Sequence, residues 1–424
     1  MNVLVVGGGG REHALCHALA GAATIFCAPG NPGTAALGTN LPLAPSDTGG
    51  LYAAILHHHI DLTVIGPEAP LAEGVADHLR AAGCRVFGPS AAAARIEASK
   101  AFAKAVMSDA DVPTAASRTF SDERSALGYV DHHAEPLVVK ASGLAAGKGA
   151  IVCATRAEAA DAVRAMFGGR FGDAGREIVI EAFLTGEELS VFALTDGEQV
   201  ALLPAAQDHK RLGDGDTGPN TGGMGAYTPV TLATPALLER VTRTIIQPTL
   251  KALDQVGARY QGVLYAGLMI APDGSPFVVE FNCRFGDPET QVVLPVADTN
   301  LIDQLWAIAA GEAWRPAPVI PARRAAVTTV VAAAGYPETP VKGAPITLPE
   351  AMGPDELLFH AGTARDAQGQ LRAAGGRVLC ATGFGPTVAA AAQASRRLAE
   401  RVAFEGCQYR RDIAWREIGR AGAS

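Results

Sequence analysis

The sequence predicts a multidomain protein of mixed α/β and α+β class. A doubly wound parallel sheet comes first, then a strand-rich middle domain, then a small α+β domain. Three observations predict this. The first hundred residues alternate short apolar strands with helices, the rhythm of βαβ units in a parallel sheet. From about Pro113 the texture changes to closely spaced β runs. A proline-rich run, RPAPVIP at 315–321, then reads as a linker to a further unit. At 424 residues the chain is too long for one domain of about 100–200 residues.

In order along the chain, residues 3–6 form a short buried strand, and 7–10 turn into a helix with Ala14, Leu15, Ala18 and Leu19 on one face. Residues 24–27 and 62–65 read as further strands and 71–82 as a helix; Ser99 caps a helix running to Met107. In the middle region, 137–141, 150–153, 178–183 and 189–194 are β runs, and 156–167 is a helix. The stretch 213–225 is a glycine-rich loop too long for a plain connector, which marks it as functional. A helix over 235–256 precedes two strands, 263–270 and 276–281, joined at Asp273-Gly274. After the linker, 325–333, 357–361 and 378–381 read as strands and 388–402 as a helix.

Composition excludes several functions. Hydrophobic residues make up 48% and charged residues 18%, enough for large cores and too apolar for wholesale disorder. A net charge of −8 argues against a nucleic-acid binder, whose footprint is a basic face. Seven scattered cysteines without a C-x-x-C pair read as reduced thiols, and no apolar run reaches the roughly 18 residues of a spanning helix. With no basic leader before the first strand, the expected compartment is the cytoplasm.

The candidate chemistry lies in four places. Gly7–Gly10 lies between a strand and a helix, but Glu12 and His13 stand where a dinucleotide fingerprint needs its last glycine. Amides at that helix start, with Arg11 beside them, still suit a phosphate or sugar. KASGLAAGKG (140–149) is one residue short of a Walker A loop and lacks its hydroxyl residue, yet a glycine loop beside Lys140 can fold over phosphates. IVIEAFL (178–184) followed by Glu188 has the form of an adenine hinge with an acid for ribose. In VVEFNCRFGDPE (278–289), Glu280 and Asn282 are two apart in a strand and share a face. One carboxylate and one amide oxygen meet the needs of Mg²⁺ when phosphates supply the rest, and Arg284 follows closely enough to hold a phosphoryl group. His57–His59 and His132-His133 read as solvated helix ends, and Cys283 as packing.

Together these motifs resemble the ATP-grasp ligases, and whole runs resemble one family among them, the glycinamide ribonucleotide synthetases of purine biosynthesis. The runs are GGREHAL (9–15), APGN (28–31), GPEAPL (66–71), SKAF (99–102), residues 143–149, QDHKR (207–211), TGPNTGGMGAY (217–227), residues 280–289, FHAGT (359–363) and GGRVL (375–379), spread over essentially the whole chain. The resemblance implies an N-terminal α/β domain over 1–103, an ATP-grasp domain over 104–316 with a lid subdomain at about 122–193, and a C-terminal domain over 317–424. It implies that Lys100, Lys140, Gly143, Gly147, Lys148 and Gly149 bind ATP phosphates. Glu181, Ala182 and Leu184 would hold adenine, Glu188 the ribose, and Glu280 and Asn282 Mg²⁺ or Mn²⁺. Gly9, Gly10, Glu68, Asp208, Lys210 and Arg284 would surround glycine and 5-phosphoribosylamine, with Asp208, Lys210 and Arg284 catalytic. No nucleic acid or membrane partner is implied, and a monomer or weak oligomer is expected. The sequence departs from the family's pattern at three places. Ser142 stands where relatives carry Asp, the stretch 265–270 has no acid, and Ala414 replaces a glycine, a change read as packing.

Overall fold

The computed structural model describes residues 1–145 and 148–423. Its first sheet is parallel throughout, in the order Gly38–Asn40, Thr24–Pro29, Asn2–Gly7, Leu62–Ile65, Val86–Phe87. Val3, Leu4, Val5 and Val6 are wholly buried because helices cover both faces of such a sheet. The expected helix over 71–82 is two helices, Glu68–Ala72 and Val75–Ala81. Gly74 separates them with φ +85°, a left-handed conformation that helical residues do not adopt.

Two antiparallel four-stranded sheets follow. The first has the order Ser117–Phe120, Ile178–Ala182, Leu137–Ala141, Ala150–Cys153, backed by helices Glu123–Val130 and Arg156–Ala165. It has its own apolar cluster, including Val139, Ile178, Ile180 and Val163. The second has the order Val200–Leu202, Glu187–Thr195, Gly262–Ile270, Pro276–Asn282. The chain crosses from one sheet to the other between Ala182 and Glu187, so the two can close on a ligand from opposite sides. The expected helix over 235–256 is interrupted, with wider turns over Thr242–Ile246 between Pro235–Val241 and Gln247–Gln255. Pro248 explains this: it has no N–H to donate and crowds the carbonyl four residues back.

The third large sheet crosses the linker. Its order is Gln207–Asp208, Gly225–Thr228, Ala325–Ala332, Arg377–Gly385, Glu356–His360, so two strands from before residue 315 complete a sheet of the C-terminal region. The stretch read as a loop over 213–225 is therefore partly strand. Arg211–Gly213 and Thr217–Asn220 form a hairpin, and Gly225 starts the next strand. Helix Val388–Glu400 packs on the third sheet, and a last helix, Trp415–Ala423, closes the described chain. Ala414 just before it has φ +69°, so the replacement of glycine is a backbone matter and not only packing. An alanine there holds a conformation that costs on the order of 1 kcal/mol more than for glycine. No helix among the described residues is long and apolar enough to cross a membrane.

Candidate active site

The basic side of the cleft is built on buried strand ends. Lys140 closes Leu137–Ala141, a strand with every residue buried. Its Nζ lies 2.8 Å from Glu181 Oε2, and Lys104 Nζ lies 3.0 Å from the other oxygen. Glu181 thus spends its carboxylate on two ammonium groups, and only its main chain is left for a purine. Lys104, absent from the sequence reading, also donates to Thr114 Oγ1 at 2.8 Å and the Ala115 carbonyl at 3.1 Å. Lys100 Nζ reaches the Gly143 carbonyl at 3.3 Å, tying the helix Lys100–Asp109 to the glycine loop. Ser99 caps that helix, and Ser142 takes a further amide of its first turn by accepting from Ala101 N at 3.1 Å, while donating to Glu177 at 3.0 Å.

In the glycine loop, a side chain at Gly143 would lie 2.7 Å from Ala174 Cα, so only glycine lets these backbones approach. A side chain at Gly149 would lie 2.7 Å from Ala145 Cβ. Gly147 lies outside the described residues. Lys148 is not gathered with Lys100 and Lys140: its Nζ donates to the Pro337 carbonyl at 2.8 Å, in the C-terminal region.

The acidic side comes from Pro276–Asn282. A bulge opposite Gly267-Leu268 leaves Val279 as the extra residue, and the Val279 carbonyl accepts from Lys140 Nζ at 3.0 Å. Glu280 follows directly, opposite Gly267, where a side chain would press on the Glu280 Cγ at 3.3 Å. Burial alone would raise the Glu280 carboxyl. The charges of Lys210, Lys140, Lys100 and Arg284 outweigh it and hold the carboxyl below its ordinary value. Asn282 is buried, and its Nδ2 has no partner among the described residues. Among those residues no group of three His, Cys, Asp or Glu could hold a metal. Glu280 and the side-chain oxygen of Asn282 therefore fit a divalent ion whose remaining ligands are phosphate oxygens and water, while the orphaned Nδ2, a donor, suits a phosphate oxygen.

Glu188 and Lys210, read separately from sequence, are joined at 2.6 Å. Asp208 lies beside them. Burial pushes its carboxyl up to about 8; Lys210 opposes the shift, while Glu289, Glu188 and Glu280 add to it. The unfolded chain ionises this group near pH 4 and the folded chain only near 8, so its stability cost grows as pH rises between those values. Asp208→Asn is expected to leave stability near pH 4 almost unchanged and to raise it by at least about 1 kcal/mol at pH 8.5. Thermal unfolding at both pH values checks this. Glu289, missed by sequence reasoning, supplies an acid beside the acid-free strand. It is buried and accepts from Tyr265 Oη at 2.7 Å and Ser190 Oγ at 3.3 Å.

Arg284 sits where the N-terminal domain meets this sheet. Its Nε lies 3.1 Å from Glu68 and its Nη2 2.8 Å from Glu97, while Nη1 donates to the Phe285 carbonyl at 3.2 Å. Glu97, which also accepts from Cys283 N at 2.8 Å, was not among the sequence-read residues; its place two residues before the run at 99–102 was the only signal. The turn before the first helix differs from the reading of an open anion site. Glu12 folds back and takes the Gly9 amide at 2.6 Å, and Arg11 is buried on Glu12 at 2.7 Å and on the Phe285 carbonyl at 3.2 Å. Gly9 and Gly10 remain at a junction of three regions: a side chain at Gly9 would meet Asp287 at 3.7 Å, and one at Gly10 would meet Gln291 at 2.6 Å.

Two antiparallel sheets that face each other across a cleft lined by Lys140, Lys210, Glu280 and Asn282 define an ATP-grasp enzyme, a class that binds ATP with a divalent metal. The comparisons narrow the class. Residues 1–97, 98–290 and 326–416 match the N, ATP-grasp (A) and C domains of phosphoribosylglycinamide synthetase, and the chain belongs to that family. It is 47% identical over 422 residues to the phosphoribosylamine–glycine ligase of a Nostoc species, covering 98% of this chain and 99% of the relative. It is 46% identical to that of Yersinia pestis, covering 99% and 100%. The crystal structure of phosphoribosylamine–glycine ligase from Thermotoga maritima matches with a TM-score of 0.85 at 35% identity, covering 97% of this chain and 100% of that one. The biotin carboxylase domain of Hydrogenobacter thermophilus 2-oxoglutarate carboxylase, in complex with MgADP, shares the fold at a TM-score of 0.72 and 17% identity, covering 96% and 91%.

Proposed function

We propose that this chain joins glycine to 5-phospho-D-ribosylamine at the expense of ATP, giving glycinamide ribonucleotide, ADP and phosphate in an early step of purine biosynthesis. The observation that carries the reading is the set of Lys140, Lys210, Glu280 and Asn282 in one cleft between the two sheets. The glycine carboxylate attacks the γ-phosphate of ATP and forms glycyl phosphate; the amine then attacks its carbonyl and phosphate leaves. Phosphorylation is needed because a free carboxylate at neutral pH is a poor electrophile. Lys100 and Lys140 bind and orient the ATP phosphates, under a loop that includes Gly143, Gly147, Lys148 and Gly149. Lys148 then exchanges its Pro337 contact for phosphate. The main chain at Glu181, Ala182 and Leu184 takes adenine, and Glu188 takes the ribose. Glu280 and Asn282 would hold Mg²⁺ or Mn²⁺, which when bound neutralises charge on the transferring phosphoryl group.

In the same reading, Asp208, Lys210 and Arg284 act at the reacting groups, and Gly9, Gly10 and Glu68 face the amine substrate. Arg284 meets substrate by exchanging one of its two carboxylate partners. The domain limits are 103 and 316, with a lid at about 122–193; the sheet at its centre runs from Ser117 to Ala182, and Glu187–Thr195 belongs to the facing sheet. The enzyme is a cytoplasmic monomer or weak oligomer without nucleic-acid or membrane partners. The test is ADP release from Mg·ATP and glycine, with and without freshly made phosphoribosylamine. ADP and a product with the mass of glycinamide ribonucleotide should form only in the complete mixture. A folded, ATP-binding protein that releases no ADP there would overturn the reading.

A further inference from the structure

The hairpin that directly follows Asp208 and Lys210 is fastened from behind by the C-terminal segment 410–416, through contacts that the reaction itself does not use. Arg410 has no exposed side-chain surface, yet is charged. Its Nη1 lies 2.8 Å from Asp216 and donates to the Arg211 carbonyl at 3.2 Å; its Nε and Nη2 pair with Asp412 at 2.7 and 2.8 Å. Arg416 also pairs with Asp216. Two main-chain amides add to this: Arg411 N donates to the Asp214 carboxylate at 2.8 Å, and Gly215 N donates to the Asp412 carboxylate at 2.8 Å. One residue before Lys210, the buried His209 accepts from Ala414 N at 3.2 Å. Lys210 itself is anchored through its carbonyl, which accepts from Thr221 N at 2.7 Å and Thr221 Oγ1 at 2.8 Å, directly after the returning strand of the same hairpin.

Successive residues of an extended segment point to opposite sides. Lys210 faces Glu188 of the neighbouring strand, while His209 faces the C-terminal segment. A wholly buried arginine is tolerable only when it is paired, and this one is spent on the tip of a hairpin. The strained φ of Ala414 persists at the contact with His209, as strain does where surrounding bonds over-determine the backbone.

We propose that Arg410 and Asp216 are positioning residues for catalysis: the 410–416 segment clamps the hairpin so that Lys210 is held in register with Glu188 and the reacting groups. The proposal rests on the reading that Lys210 acts at the substrates. Asp216→Asn should stay folded, keep its KM for ATP within about twofold, and lose turnover by about tenfold, as a misplaced group does. Lys210→Met should lose more. Adding Asp216→Asn to Lys210→Met should cost nothing further, because the clamp acts through the side chain already removed.

A merely structural contact would instead multiply its loss onto Lys210→Met, which overturns the proposal, as does wild-type turnover in folded Asp216→Asn. If Asp216→Asn does not fold, Arg416→Gln, which removes a partly exposed partner of the same carboxylate, is read in the same cycle. Lys210→Met with wild-type turnover removes the underlying role of Lys210, and the clamp with it. An impaired Lys210→Met beside an unaffected Asp216→Asn overturns the clamp alone.

Discussion

Replacing Glu280 with glutamine should lower turnover by about a hundredfold to a thousandfold while the protein stays folded, the range seen when one preorganised electrostatic group is removed from a catalytic site. Glutamine keeps the size and planar shape of the side chain and removes only the charge. The fold should tolerate this because the nearby cations have other partners: Lys140 keeps Glu181, Lys210 keeps Glu188, and Arg284 keeps Glu68 and Glu97. The cleft then carries one more net positive charge and, in the proposed reading, has lost the hard anionic ligand that joins Asn282 in holding a divalent ion. Binding of Mn²⁺ in the presence of a non-hydrolysable ATP analogue, followed by its paramagnetic signal, should weaken in parallel with turnover. Near-normal turnover in a folded variant would remove Glu280 from the metal site.

The largest effect on stability is expected at Glu181. Replacing it with glutamine leaves Lys104 and Lys140, both buried, without the carboxylate they share. Breaking a buried pair costs about 3–5 kcal/mol because the orphaned charge keeps its desolvation penalty. Hydrogen bonds to Thr114, Ala115 and Val279 survive and set the lower end of that range. The pH dependence has a definite sign. Burial already lowers the Lys104 ammonium below the usual lysine value, against the pull of Glu181. With Glu181 neutral it falls further, so the cost is complete at neutral pH and relieved as pH rises through the lowered value and the lysine sheds its proton. The difference in melting temperature between wild type and Glu181→Gln should therefore be several degrees at pH 7 and smaller near pH 10. Equal melting temperatures at pH 7 would mean that the pairing contributes nothing.

Legibility in the sequence differed by kind of feature. Gly143, Lys140, Glu280 and Asn282 stood out as candidates because each belongs to a local pattern: a strand end beside a glycine loop, or two oxygen-bearing side chains two residues apart on one face. Lys104, Glu97 and Glu289 were not. Lys104 sits mid-helix where an amphipathic pattern reads as a solvated lysine, and its partner is 77 residues away, from 104 to 181. Glu188 and Lys210 were each recognised, but their ion pair required Gln207–Asp208 to lie beside Glu187–Thr195. Arg11 was misread for the complementary reason. A charge beside a helix start suggests an anion site, and only the folded chain shows Glu12 turned back to take it.

By itself the sequence determined the parallel N-terminal sheet, the change to closely spaced strands after Pro113 and most of the residue types that meet in the cleft. Those properties follow from periodicity, turn residues and local spacing, all of which act over a few residues. Tertiary structure alone decided that strands from 207–228 complete the C-terminal sheet, that two lysines share Glu181, and that the segment 410–416 grips the Lys210 hairpin. These depend on which distant edges and charges meet, and burial raises the stakes of each meeting. A buried strand edge or charge must find its partner somewhere in the fold, but no local pattern states where.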